Sequence, residues 1–371
     1  MIIVISGYNQ RAVIAFLRTL KRNNIEEYAI LARDKEDPVF QTSYADKVYY
    51  VRKHKELDEE ELYSIFDELV LKSSGPTVIA PSTEALNRFL VHNKKEIESH
   101  GVIVPLVDES LYSEISDKRS FFELCKNHEL KVPEIITLDK TFTCRYVAKP
   151  IKYISNSGQR LIPIIVQNVE QHRHFMNNYS IEDFDIQEYV DGESYYLLYY
   201  LSRNGKNYSF SQRNLAQQPG GKSIVAAMCS DIHKLDISNQ YIDLVRSRGF
   251  SGFIMIELRK RDCDFYMIEA NPRMWGPSQL YVDANVPFVE AFLSDYKLIN
   301  KYRENEIVNN ARYFWSGGLK NNILDDVDCV WLEGGKDIVT KGIDGFIKYD
   351  IYNREDTKAV YLLEKKAWEE Q

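Results

Sequence analysis

Over residues 1–107 short apolar runs alternate with amphipathic stretches. Ile2–Ser6 is a continuous apolar run of the kind a strand shows when both its faces are covered. Val13–Leu20 carries helical spacing, and Tyr28–Leu31, Val48–Val51, Thr77–Ala80 and Val102–Pro105 read as further strands. Helical patterns over Leu62–Leu71 and Glu84–Leu90 fall between them. Strands alternating with helices predict a parallel, doubly wound sheet, so this stretch is expected to be a Rossmann-like α/β domain.

From about residue 108 the texture changes. Asp117-Lys118-Arg119-Ser120 opens a helix that runs through Leu124, and Val132-Pro133 ends that unit. Tyr146–Pro150 reads as a strand ending in Lys-Pro, followed by the polar turn Ser155-Asn156-Ser157-Gly158. Phe184–Val190 is a strand leading into Asp191-Gly192-Glu193. Tyr195–Leu201 is aromatic and apolar with poor alternation, as a buried strand would be, and Asn204-Gly205-Lys206-Asn207 reads as a hairpin turn before Tyr208–Phe210. Antiparallel strands with a few helices make residues 108–300 an α+β domain, so the fold class is α/β plus α+β. Residues 301–371 form a C-terminal tail whose run Tyr313-Phe314-Trp315 is expected to pack on the body or on a partner.

Composition narrows the classes. The chain has 371 residues, 44% hydrophobic and 27% charged, which is globular and leaves no room for a disordered or low-complexity reading. That length suggests two or three domains. A net charge of −8 argues against a general nucleic-acid binder, since phosphate contacts need a positive surface. Five cysteines with no two at ligand spacing argue against a disulfide framework and a zinc site. No apolar run reaches the ~20 residues that span a bilayer, and the opening segment lacks the basic leader and cleavage site of a signal peptide. The expectation is a cytoplasmic protein without a membrane partner.

A doubly wound sheet invites a dinucleotide, but the first turn, Ser6-Gly7-Tyr8-Asn9-Gln10-Arg11-Ala12, holds one glycine where G-x-G-x-x-G needs three. The chemistry lies further on. Phe253–Leu258 and Phe265–Arg273 flank the polar stretch Arg259–Asp264 and read as a hairpin. With its loop centred on Cys263, Glu257 and Glu269 lie six residues either side and face each other. Asn271 and Arg273 extend the same row. Opposed carboxylates in apolar strands repel and lose hydration, and a divalent cation between them removes that cost. Two carboxylates and an amide oxygen form a set suited to Mg²⁺ held beside phosphates.

Further residues suit the nucleotide. Lys118 and Lys149 place cations at a helix start and a strand end. Ser155–Gly158 could cradle phosphate oxygens with backbone N–H groups. The Glu188 carbonyl and the Val190 N–H offer an acceptor and a donor to adenine, and Glu193 could accept from ribose hydroxyls. His172-x-His174 is expected on an exposed segment.

Lys118, then Lys149-Pro150, then Glu188-x-Val190-x-x-Glu193, then Glu257 and Glu269-Ala270-Asn271-Pro272-Arg273, in that order, resembles the ATP-grasp superfamily. The likeness is strongest to the branch of carbamoyl-phosphate synthetase large chains and related carboxylate–amine ligases, and it covers about residues 1–300. The resemblance implies that Lys118, Lys149, Ser157 and Gly158 meet ATP phosphates and that Glu188, Val190 and Glu193 hold adenosine. It implies Mg²⁺, or Mn²⁺ in its place, on Glu257, Glu269 and Asn271, with Arg273 at the acyl-phosphate end. Lys222, after Pro219-Gly220-Gly221, and more distantly Arg213, would touch substrate or phosphate. The phosphate turn departs from relatives, which carry several glycines there.

The function so implied is ATP- and Mg²⁺-dependent joining of a small-molecule carboxylate to an amine through an acyl phosphate, releasing ADP and phosphate. No nucleophilic side chain is needed, in keeping with the absence of a Ser/His/Asp or Cys/His signature. An ATP-binding regulatory module and an enzyme with a thiol or hydroxyl acceptor stay open as alternatives. A homodimer is the assembly to look for.

Overall fold

The computed structural model describes residues 1–152, 158, 161–320 and 329–369. Its first sheet joins β1 (Ile2–Ile5), β2 (Tyr28–Ala32), β3 (Val48–Val51), β4 (Thr77–Ile79) and β5 (Val102–Ile103) in the order β3-β2-β1-β4-β5, all parallel. β1 is buried at every position because both faces are covered. Ile2 and Val4 face a core with helix Gln10–Arg22, while Ile3 and Ile5 face helices Glu59–Lys72 and Glu84–His92. The last two helices start on side-chain caps, Asp58 accepting from the Glu61 N–H and Thr83 from that of Leu86.

A three-stranded antiparallel sheet follows: β6 (Tyr146–Pro150) between β7 (Ile164–Val166) and β8 (Phe184–Glu188). The large antiparallel sheet holds β9 (Glu193–Leu201), β10 (Asn207–Gln217), β11 (Ile224–Cys229), β12 (Gly252–Arg261), β13 (Asp264–Asn271), β14 (Arg312–Phe314) and β15 (Val330–Trp331). Its order is β13-β12-β9-β10-β11-β14, with β15 on β10. β9 lies near its middle. Leu197, Tyr199 and Leu201 face a core with helices Lys118–Asn127 and Asp236–Ser247. Tyr196, Leu198 and Tyr200 face the core shared with the first sheet's helix Gln10–Arg22. Both faces being covered is why this strand shows no apolar–polar alternation.

The aromatic run after residue 300 is an edge of this sheet. Tyr313 and Phe314 sit in β14, paired to β11, and both are buried. Further on, Asp356 takes a bidentate pair from Arg18 on helix Gln10–Arg22 and a bond from the Tyr44 hydroxyl. The C-terminal segment therefore packs on the body and ties the large sheet to the first one. His172 departs from expectation: it is buried, with Nδ1 3.1 Å from the Tyr146 hydroxyl inside the small sheet's core. Its imidazole packs against Tyr146 and Phe142, and His174 alone is exposed.

Candidate active site

Glu257 and Glu269 are direct cross-strand partners on β12 and β13. The route to that pairing differs from the expected one. The strands run to Arg261 and restart at Asp264, so the connection is only Asp262-Cys263, with Asp262 at φ +57°. An irregularity between Glu257 and Leu258 shifts the register by one and restores the symmetric match. Tyr196 lies across from Glu257, and Gln212 across from Tyr196. The row Glu269, Glu257, Tyr196, Gln212 thus crosses one face of the sheet.

The charges are crowded. Lys118 Nζ is 3.2 Å from Glu269 Oε2, and the Asn271 amide donates to Glu269 Oε1 at 2.9 Å. Burial and the Glu269 charge push the Glu257 carboxyl above the usual carboxylate range. Burial works against Glu269 too, but Lys118, the Asn271 amide and Arg273 hold it ionised, below that range. Lys149 Nζ donates to the Ile268 carbonyl at 3.1 Å. Burial, and then Lys118, lower its pKa to about 8, against the pull of Glu269 and Glu257.

A cleft between the small sheet and this hairpin collects Lys118, Lys149, Glu188, Val190, Glu257 and Glu269 around about 130 Å³ of space. The Glu188 carboxylate is spent elsewhere, on Arg261 at 2.8 Å and the Glu134 N–H at 3.2 Å, and its own N–H donates to the Glu134 carbonyl at 2.9 Å, so its carbonyl is the group left for a ligand. The turn that follows is locked by Gly192, at φ +113°, where a Cβ would lie 1.8 Å from the Lys260 carbonyl oxygen. Only glycine lets the β8–β9 connection lie so close on β12.

Other expected residues fall differently. Glu193 is outside the cleft lining: Arg213 pairs with it at 2.7 Å and the Tyr195 hydroxyl donates to it at 2.6 Å. Arg213 also donates to the Glu333 carbonyl, so it braces the C-terminal segment. Gly158, at φ +83°, is exposed and outside the cleft lining, and Ser157 lies outside the described residues. Asn271 turns its amide nitrogen to Glu269 and accepts from Arg273 at 3.0 Å with its oxygen, so that oxygen is directed away from the carboxylate pair. The two carboxylates face each other as expected, while the Asn271 oxygen is engaged by Arg273. With two carboxylates, phosphate oxygens and water would complete a magnesium shell.

Sequence reading missed Gln187, Arg259 and Tyr196. Gln187 shares a face with Lys149, since β6 and β8 pair Lys149 with Asp185 and Val147 with Gln187. Its buried Oε1 has no partner among the described residues. Counting by two from Lys149 through that register would have found it.

A second cavity, about 440 Å³, opens between the first sheet and the hairpin's far end. Its walls include Asn9 and Arg11 from the first turn, Thr83 and Glu84, Lys222 and Ser223, and Asn271, Arg273 and Trp275. Arg273 donates to the Met274 carbonyl and the Asn271 oxygen at 3.0 Å each and stands 3.6 Å from Glu84. The turn that lacks a dinucleotide fingerprint thus still borders a ligand-sized space. Glu269 lines both cavities.

No family model matches the chain, and no curated protein sequence does. Solved structures do match in shape. N5-carboxyaminoimidazole synthetase of Staphylococcus aureus, complexed with ADP, superposes with a TM-score of 0.60 over 88% of this chain and 85% of that one, at 14% identity. The biotin carboxylase domain of Hydrogenobacter thermophilus 2-oxoglutarate carboxylase, complexed with MgADP and bicarbonate, gives 0.58 over 84% and 72%, at 12% identity. Campylobacter jejuni biotin carboxylase, complexed with β,γ-ATP, gives 0.57 over 84% and 74%, at 13%. The chain has the ATP-grasp fold. In ATP-grasp terms the first cleft lies between the small sheet and the large one, and the second cavity lies on the side of the doubly wound unit.

Proposed function

We propose that this protein is an ATP- and Mg²⁺-dependent ligase that joins a carboxylate to an amine through an acyl phosphate. The observation that carries the reading is the Glu257–Glu269 pair standing in one cleft with Lys118 and Lys149. Two carboxylates beside two ammonium groups suit a metal–phosphate complex and little else. Lys149 and Lys118 bind phosphate oxygens, the backbone at Glu188–Val190 reads adenine with Gln187 beside it, and Glu257 and Glu269 hold Mg²⁺. When bound there, the ion would neutralise charge that develops on the transferring phosphoryl group.

A substrate carboxylate oxygen attacks the γ-phosphorus and ADP leaves. The amine then attacks the acyl carbon, the phosphate departs with the C–O electron pair, and the amine proton passes to solvent or phosphate. The chain's part is positioning: Arg273 orients the acyl end while Lys118 and Lys149 hold the phosphates in line. The neighbours' bound ADP, MgADP and bicarbonate support this reading, as does their use of small molecules. The five cysteines form no disulfide, which fits a reducing cytoplasm. No helix among the described residues is long and apolar enough to cross a membrane. The test is ADP formation with pooled carboxylates and amines. Stimulation by both pools together, lost in Arg273→Ala while nucleotide binding persists, is the expected outcome. ADP formation indifferent to either pool would defeat the ligase reading.

A further inference from the structure

The second cavity holds a cationic corner that the proposed chemistry does not use. Arg11 is half-buried on helix Gln10–Arg22 and stacks over Trp315, its guanidinium carbon 4.0 Å from the ring centre. It donates to the Ser223 hydroxyl at 2.9 Å, the Tyr313 hydroxyl at 3.2 Å and the Ile224 carbonyl at 3.3 Å. All three are neutral, and no carboxylate among the described residues comes within ion-pair distance of Arg11. Glu364, which accepts from the Trp315 indole N–H at 3.3 Å, feels the Arg11 charge at longer range, and burial pushes its carboxyl up to about 7. A guanidinium presents five donors, and three are engaged, so a fork remains open.

Two features point the same way. Lys222, beside Ser223 on the glycine turn, is exposed and makes no ion pair among the described residues. Helix Gln10–Arg22 begins at this wall with no side-chain cap on Asn9 and no acid in its first turn, leaving its amide dipoles uncompensated. Tyr196 lines the same cavity, but its charged neighbours are Glu257 and Glu269, so it belongs to the carboxylate pair and not to this corner. The opposing acids are already engaged. Glu84 is 2.8 Å from Arg88 and accepts from the Tyr112 hydroxyl at 3.0 Å, and Glu269 is paired with Lys118.

The geometry points to a second anionic group on the substrate that fills this cavity, a carboxylate or a phosphate ester, bound by Arg11 and Lys222 away from the reacting carboxylate at Arg273. The inference rests on the ligase reading for which end reacts. Arg11, Lys222 and the helix start then select among carboxylates by what hangs from their far end. Gly276 lets the fork stay where it is, since a Cβ there would meet Arg11 Nη2 at 3.1 Å.

The test is calorimetric titration of the full chain, with and without saturating MgADP, using acetate, glutarate and glycerol 3-phosphate as probes. Glutarate or glycerol 3-phosphate is expected to bind at least about tenfold more tightly than acetate, as one charge-assisted pair supplies. Preference for glutarate assigns the second group as a carboxylate, and preference for glycerol 3-phosphate assigns a phosphate. Lys222→Gln and Arg11→Gln should each erase the preference while MgADP affinity holds. Should Arg11→Gln fail to fold, Lys222→Gln on its exposed turn decides alone. Equal binding of all three probes by the wild type, or a preference that survives Lys222→Gln, overturns the inference. Loss of MgADP binding in the wild type would defeat the ligase reading, and the nucleotide-free titration would still decide the anion corner.

Discussion

The cleft proposed for the nucleotide and the cavity proposed for the substrate share Glu269 as a wall, yet the chain builds them in opposite ways. The cleft takes most of its chemistry from residues 149, 187–190, 257 and 269, on or beside strands whose neighbours are set by hydrogen-bonded register, with Lys118 added from a helix start. The cavity takes its chemistry from residues 9–11, 83–84, 222–223 and 271–275, four loops or element ends that meet only when the two sheets dock. Ladder geometry gives the first a rigid, repeated pattern. Loop convergence gives the second a pattern free to vary without disturbing any strand. A fold arranged so can keep one phosphate-handling centre while its substrates change.

Substitutions that touch one region and spare the other sharpen this contrast. The largest effect is expected at the shared wall. Glu269→Gln removes the charge that Lys118 faces and halves the metal pair, so turnover should drop by roughly 10²–10³, as for loss of a preorganised electrostatic contact. ADP release measured beside MgADP affinity checks it; wild-type turnover in this variant would remove the hairpin from catalysis. Lys149→Met comes next. Losing one charge-assisted contact to phosphate, worth about 1.5–3 kcal/mol, should weaken nucleotide binding by one to two orders of magnitude. Anion binding in the other cavity should not change, and parallel weakening of both would erase the distinction between them.

Gly192→Ala should act through shape. The added methyl has to displace β12 at the Lys260 carbonyl, at a cost of roughly 1–3 kcal/mol of backbone strain. Denaturant midpoint and MgADP affinity should both fall, with the substrate cavity spared. The smallest effect is with pH. Lys149 is depressed to about 8, so its charge is full below that value and fades above it. Nucleotide affinity should then decline several-fold from pH 7 to about 9, in a manner that Lys149→Arg abolishes because a guanidinium stays charged.

Much of the first region was legible in the chain because strands repeat by two. Glu257, Glu269, Lys149 and the Glu188–Val190 stretch could be read from spacing and order. The match of Glu257 to Glu269 hid two offsetting departures, a shorter connection and a register shift, that spacing alone cannot separate. Glu193 misled because an acid after a strand reads alike whether it faces ribose or, as here, an arginine. His172 misled because a polar sequence context says nothing of a hydroxyl waiting across the sheet. Arg11 could not be read at all. Its stacking partner Trp315 is distant in sequence, and no local pattern reports such a meeting.

That distance bears on how the protein comes into being. Every residue of the first cleft has been synthesised once Glu269 has been added. Arg11, made among the first, has to wait for Tyr313 and Trp315, and its helix for Asp356, before its pose is held. On the proposed reading, synthesis completes the residues of the phosphate-handling half before the contacts that hold Arg11 exist. A nascent chain stalled between these points should retain MgADP while the substrate cavity is still unformed, a separation in time of two halves that the finished molecule holds side by side.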